Sequence, residues 1–254
     1  MKLSKLETQT MKYLKTSALL GTALLFSAIV GCTNAGADSG KMSKAEVEKI
    51  VKEYLLENPE IIREAMIILD EREERAQIVA VKDELHNDKR DYSYGPKNAK
   101  VTIVEFFDYN CPYCKQSTDW LQNVMKEYPK DVRVVFKELP ILDRRTQTSR
   151  NAAKAALAAG RQGKYNEMHL AMMDGNNLSQ KYINSSALKL GLDMAKFKKD
   201  MSDEALDEQL EDGMYLASRI PGLTGTPFFV INEKFMASGD KQALNAMLQE
   251  ALSE

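Results

Sequence analysis

The sequence predicts an α/β domain that is interrupted by a helical insertion and preceded by a helical arm. Three observations carry that prediction. Residues 101–107 (VTIVEFF) and 132–139 (VRVVFKEL) are apolar runs rich in β-branched and aromatic residues, with one helix-length segment between them. That is the layout of a parallel β-α-β crossover. The next strand pair comes only at residues 228–236, after a long stretch of helix formers punctuated by Gly, Asn and Asp. Before Val101, residues 43–86 repeat apolar positions at helical spacing with no strand signal.

Composition bounds the chain before any motif is considered. Of its 254 residues, 44% are hydrophobic and 28% charged, which suits one or two globular domains and argues against disorder. The formal net charge is −2. The first 31 residues hold four lysines and one acid, so the remainder is more acidic still. Such a balance gives no reason to expect nucleic acid as a partner. Three cysteines (Cys32, Cys111 and Cys114) are too few for a disulfide-stapled scaffold. One close pair and one leftover need separate explanations.

The N-terminus reads as an export signal. Lysines run up to Lys15, and residues 18–30 (ALLGTALLFSAIV) are then almost wholly apolar. A basic segment before a short apolar one is a secretory layout, and the run falls short of the roughly 20 residues of a membrane span. Two processing sites compete. Ile29-Val30-Gly31-Cys32 resembles the lipobox of bacterial lipoproteins, with Cys32 as the lipidated first residue. Ala35-Gly36-Ala37 fits cleavage after residue 37. Residues 1–31 are thus assigned to the signal and 32–42 to a tether. Either processing places the working part in the periplasm or cell envelope, anchored through Cys32 in the first case. Thiols there can be oxidised and stay so.

Ser43-Lys44-Ala45-Glu46 is a capping box and should open a helix. Val47, Ile50, Val51, Tyr54 and Leu55 follow at helical spacing. Asn58-Pro59 ends it and starts a second helix, expected from Pro59 to about Leu85. Two such helices cannot bury their apolar arc against each other alone. The excess either packs on the chain's own domain or forms a dimerisation or oligomerisation arm over residues 43–86. Residues 87–100, with Gly95-Pro96, read as a polar linker.

The first strand continues into the cysteine pair as VTIVEFFDYNCPYCK, residues 101–115. Its near-continuous apolar run suits a central strand covered on both faces. Glu105 breaks the run. Six residues before Cys111, it is placed either beneath the pair to exchange a proton with Cys114, or in a salt bridge or at an edge. Cys111 is expected at the N-cap of the next helix with Pro112 in its first turn, where exposed amides and the helix dipole favour a thiolate. Cys114, one turn on and more buried, is the resolving thiol. At this spacing both sulfurs share one face and can bond. A metal site needs further ligands. With only His86 and His169 available, no metal is expected. The redox group is the Cys111–Cys114 pair itself, with no added cofactor.

Downstream, Gly222-Leu223-Thr224-Gly225-Thr226-Pro227 opens the strand at 228–231, a turn follows at 232–234, and a C-terminal helix is expected at 241–251. A Cys-Pro-Tyr-Cys after a Glu-bearing strand, with a late Thr-Pro opening a strand, resembles the thioredoxin superfamily, and most of all its DsbA-like envelope oxidoreductases. The resemblance implies a thioredoxin fold over residues 101–139 and 220–254, with an inserted helical domain at 140–219. It implies a cis bond before Pro227 that faces the cysteines. It places substrate contacts at Thr226 and Pro227, and Cys111, Cys114, Glu105, Pro112 and Tyr113 in the catalytic site. Residues 43–86 resemble the arms of oligomeric, ScsC-type members. Tyr113 stands where DsbA has histidine, and Cys-Pro-Tyr-Cys is the pair of DsbG, so isomerisation stands beside oxidation. The implied partners are cysteine-containing proteins, a membrane redox partner of DsbB or DsbD type, and copies of the chain itself as dimer or trimer. A non-catalytic envelope chaperone is the alternative.

Overall fold

The computed structural model describes residues 42–254. The export signal, both processing sites and Cys32 lie outside the described residues. Those described fall into two units, one ending at Glu57 and one beginning at Asn58.

In the first unit, helix α1 (Lys44–Glu57) opens on the capping box. The Ser43 amide donates to Glu46 Oε2 at 2.8 Å, and the Glu46 amide donates to Ser43 Oγ at 3.3 Å. Two orphan donors of the helix start are thereby satisfied reciprocally. No residue of α1 is buried. Val47, Ile50, Val51 and Tyr54 all stand exposed at the expected spacing.

The second unit begins with α2 (Glu60–Ala80) and α3 (Lys82–Asn87). The single helix expected as far as Leu85 is instead broken at Val81, whose φ of −109° and ψ of 11° are not helical. No Gly or Pro marks the break. Its result is that α3 buries Leu85 and His86, while the Lys137 ammonium donates to the Glu84 carbonyl at 2.6 Å. Up to residue 77 the apolar positions of α2, including Ile62, Met66 and Leu69, are exposed, apart from the half-buried Ile61. Ile78, Val81 and Leu85 are core and pack with Val104, Phe106 and Val135, while Val79 stays exposed. The last part of the 43–86 segment is therefore integral to the sheet domain. Leu85→Ala is expected to destabilise the fold by about 2–5 kcal/mol in denaturant unfolding, as for a fully buried leucine. Val47→Ala should leave that transition unmoved.

The segment expected as a plain linker contains a strand, β1 (Ser93–Tyr94), paired antiparallel with β3 (Val132–Glu138). Two residues carry no detectable alternation, so only the pairing reveals it. Gly95 follows at φ 90°, and a Cβ there would lie 2.3 Å from the Val132 carbonyl oxygen. Only glycine fits that position.

The sheet order is β1-β3-β2-β4-β5. β2 (Val101–Phe107) is central, parallel to β3 and antiparallel to β4 (Phe228–Ile231). Its side chains alternate between two cores, which explains why the run is apolar almost throughout. Val101, Ile103 and Phe107 join one core with Trp120 and Leu121 of α4 (Pro112–Glu127). Val104 and Phe106 join the other. The expected insertion is helical: α5 (Asp143–Thr146), α6 (Ser149–Gly160), α7 (Tyr165–Asp174), α8 (Gln180–Lys189), α9 (Met194–Met201) and α10 (Glu204–Ser218). Strand β4 turns through Asn232, at φ 54°, into β5 (Lys234–Met236), and α11 (Lys241–Ser253) closes the chain. The Asn232 side chain accepts from the Thr102 amide at 2.9 Å, which fixes this hairpin to β2.

Candidate active site

The site lies where β2 ends and α4 begins. Three loop residues, Asp108 to Asn110, make the turn. Asp108 is buried, and its carboxylate accepts from the Asn110 amide (2.8 Å), the Leu142 amide (2.9 Å) and Ser149 Oγ (2.7 Å). Asn110 in turn donates to Thr148 Oγ1 at 3.0 Å. The loop before the cysteines is thus held by the start of the insertion. Leu142, Thr148 and Ser149 are residues of ordinary type more than thirty positions away in sequence, and nothing local announces them.

Cys111 is the N-cap of α4, with extended dihedrals (φ −79°, ψ 117°), and Pro112 occupies the first helical position. That is the arrangement expected for a helix entered through proline. Cys111 is 5% exposed and Cys114 is fully buried. Pro112 and Tyr113 are exposed, Tyr113 at 64%. The two thiols have been driven apart. The Cys114 thiol donates to the Cys111 sulfur, and amides of the first helical turn add to it, so Cys111 is held down at about 6 against the opposing effect of burial. Burial, together with the bond to Cys111 and the nearby Glu105, pushes Cys114 far above the ordinary thiol range. One thiol is poised as a nucleophile at neutral pH and its neighbour is not.

Glu105 sits in mid-strand, opposite Phe136 on one side and Phe229 on the other. It is 1% exposed and accepts from Ser117 Oγ at 3.1 Å. Ser117 also donates to the Cys114 carbonyl at 3.0 Å, so the carboxyl lies under the cysteine-bearing turn. Burial is the main reason that its pKa rises to about 8, with the Ser117 bond opposing and the Cys111 charge adding to the rise. Glu105 has no salt-bridge partner among the described residues, and β2 is not an edge strand.

The opposite wall is the turn before β4. The Thr226–Pro227 bond is cis. The Cys111 thiol donates to the Thr226 carbonyl at 3.1 Å, and Pro227 is buried. Behind it stands Gly239, where a Cβ would approach Pro227 Cγ to 3.2 Å and the Tyr113 carbonyl to 3.4 Å. Gly239 was not among the expected site residues, and only its Ser-Gly-Asp context before α11 signals a close approach. All the expected site residues within the described chain therefore come together. The two histidines stay away from the pair. His169 lies among Phe107, Tyr109, Phe136 and Tyr165, depressed to about 3 by burial. His86 is buried in α3. Among the described residues no three His, Cys, Asp or Glu side chains gather as a metal site.

Comparison with known proteins agrees with this geometry. Residues 102–252 match the DSBA-like thioredoxin domain, and residues 44–76 match the copper resistance protein ScsC N-terminal domain. The thioredoxin-like oxidoreductase of Silicibacter pomeroyi is 34% identical, with a TM-score of 0.62 over 68% of this chain and 98% of its own. A linker-deleted variant of Proteus mirabilis ScsC is 27% identical, with a TM-score of 0.63 over 84% of this chain and 98% of its own. Among curated relatives, the Na(+)/H(+) antiporter NhaA 1 of Salinispora arenicola is 32% identical across 65% of this chain. The chain spans about a quarter of the length of the curated relatives it matches. With its thioredoxin-type sheet, helical insertion and ScsC-like N-terminal helices, the chain belongs to the DsbA-like family of thiol-disulfide oxidoreductases.

Proposed function

We propose that this chain is an exported protein thiol-disulfide oxidoreductase. It acts on cysteines of envelope or secreted proteins through Cys111-Pro112-Tyr113-Cys114, with isomerase and/or oxidase activity. The observation that carries this reading is the geometry of the pair: Cys111 at the N-cap of α4 against the cis Thr226–Pro227 turn, with Cys114 buried one turn on, an environment that lowers the first thiol and raises the second. In reduction, the Cys111 thiolate attacks one sulfur of a substrate disulfide. That S–S bond breaks, a substrate thiolate leaves, and a mixed disulfide forms. Cys114 then loses its proton to Glu105 and attacks the Cys111 sulfur. The second substrate thiolate leaves, the substrate has gained two electrons, and the pair is a disulfide. Run backward, the same steps oxidise a dithiol. Glu105, near 8, is poised to exchange that proton close to neutrality. Thr226 and Pro227 offer backbone to an extended peptide lying across the pair.

A membrane partner of DsbB or DsbD type resets the pair, and the protein works in the periplasm, through a lipid on Cys32 where the lipobox is used. Residues 43–77 serve as a homo-oligomerisation arm. The support is their exposed apolar side chains, Val47, Ile50 and Tyr54 in α1 and Ile62, Met66 and Leu69 in α2. The test pairs two assays, reduction of a disulfide-bonded polypeptide and reactivation of a scrambled protein. Each is run on the mature chain and on a chain beginning at Gln77, which keeps Ile78, Val81, Leu85 and β1. The shortened chain is expected to keep reduction, to lose most reactivation, and to fall to monomer mass. Unchanged mass and reactivation would show the arm reading to be wrong. Absence of both activities from the mature chain would defeat the oxidoreductase reading itself.

A further inference from the structure

Lys115 follows Cys114 directly, and its amide donates to the Cys111 carbonyl at 3.2 Å, closing the first turn of α4. A lysine there faces the positive end of the helix dipole and is locally unfavourable. Its side chain answers by leaving the turn. The ammonium donates to the carbonyls of Met173 at 2.7 Å and Gly175 at 2.5 Å. Both carbonyls belong to the C-terminal end of α7, where they lack helical partners and carry the negative end of the dipole. Lys115 is half-buried in this position. One side chain therefore fastens the cysteine-bearing turn to the insertion.

What it fastens is a turn with two different sides. Inward, Gly175 is buried, and a Cβ there would strike Tyr182 at 2.7 Å and Leu178 at 2.8 Å. Outward, Asp174, Asn176 and Asn177 are exposed. The two bonds of Lys115 keep the backbone of this turn within one lysine side chain of the first turn of α4, which also carries Cys111 and the exposed Tyr113.

Resting on the thiol-exchange reading, we propose that Lys115 is a positioning residue for substrate specificity. It holds residues 174–177 as a polar wall beside Cys111, against which a cysteine-containing polypeptide lies. A small disulfide reaches the sulfur without that wall. The Asn177 Oδ1 accepts from the Ser179 amide at 3.1 Å, which leaves its amide NH2 as a donor; with Asn176 it suits the backbone of an extended polypeptide.

The experiment compares kcat/KM for a disulfide-bonded polypeptide with that for oxidised glutathione. The proteins are the wild type, Lys115→Met, Lys115→Arg and the double variant Asn176→Ala/Asn177→Asp, which keeps the acceptor for the Ser179 amide. The polypeptide-to-glutathione ratio should fall about tenfold in Lys115→Met and in the double variant, through KM of the polypeptide. Lys115→Arg should restore most of it. The double variant alters the wall without the clamp, so the test stands even where Lys115→Met folds poorly. A ratio within twofold of wild type in the double variant overturns the proposal, as does an equal loss on both substrates in Lys115→Met. A wild type that exchanges neither substrate overturns the exchange reading, and this proposal with it.

Discussion

Cys111→Ser is expected to lower disulfide exchange by on the order of 10³-fold or more, because a serine hydroxyl supplies almost no anion at neutral pH. The fold should survive. Cys111 is 5% exposed, and its bond to the Thr226 carbonyl is one that a hydroxyl also makes. Thermal unfolding within a few degrees of wild type, alongside lost exchange, is the expected pair of results. Cys114→Ser should behave differently, accumulating a mixed disulfide visible by non-reducing electrophoresis, since the attacking thiol remains and the resolving one is gone. The same residue sets a pH profile. With its pKa held at about 6, Cys111 is the thiolate above that pH and loses the form as pH falls through it. Alkylation by iodoacetamide should therefore rise to a plateau with a midpoint near 6. An ordinary thiol has its midpoint at about 8.5, and a profile centred there sinks the assignment of Cys111 as the activated nucleophile.

Much of this arrangement was legible in the sequence because it is local. Cys-x-x-Cys with proline at the second position fixes an N-cap and a first helical turn, and both are present. The run VTIVEFF reports burial on both faces of β2, and the structure places it at the sheet centre. Ser43 and Glu46 bond to each other as a three-residue spacing dictates. What escaped is what depends on distant partners. The break at Val81 has no Gly or Pro, and is seen only through the burial of Leu85 and His86 that it permits. β1 is too short to alternate and exists through β3. Asp108, Ser117 and Gly239 are ordinary residues whose part in the site depends on Ser149, Glu105 and Pro227, each brought near by the fold. Glu105 lies between these cases. Its oddity was visible in the strand, whereas its burial away from any sheet edge and against Ser117 depends on the topology.

That burial makes Glu105→Gln the most discriminating substitution, because stability and catalysis should move in opposite directions. A carboxyl whose pKa rises from 4.5 unfolded to about 8 folded is bound more tightly as the neutral acid in the folded state. Below pH 4.5 it is neutral in both states and costs nothing. As pH rises from 4.5 toward 8 the unfolded chain ionises first, and the fold loses stability progressively. At pH 7 the loss amounts to about 3 kcal/mol for this one group. Glutamine keeps an acceptor for Ser117 and removes the ionisation. Asp91, Asp108 and Glu138 are raised by burial as well, so the wild-type curve alone does not isolate Glu105, whereas the difference between wild type and Glu105→Gln does. In urea unfolding that difference should grow by roughly 2–3 kcal/mol in favour of the variant between pH 5 and pH 7. At pH 8, where about half of the wild-type carboxyl is ionised and can accept, the variant should release substrate from the mixed disulfide roughly 10²-fold more slowly, having lost the acceptor for the Cys114 proton. A variant that is more stable yet resolves at the wild-type rate would leave Glu105 without a part in the chemistry. A variant that is slower yet shows no pH-dependent gain would place its ordinary carboxylate charge, not a buried neutral acid, beneath the pair. Only the two effects together describe a carboxyl kept in the sheet at a cost to stability because Cys114 needs somewhere to send a proton.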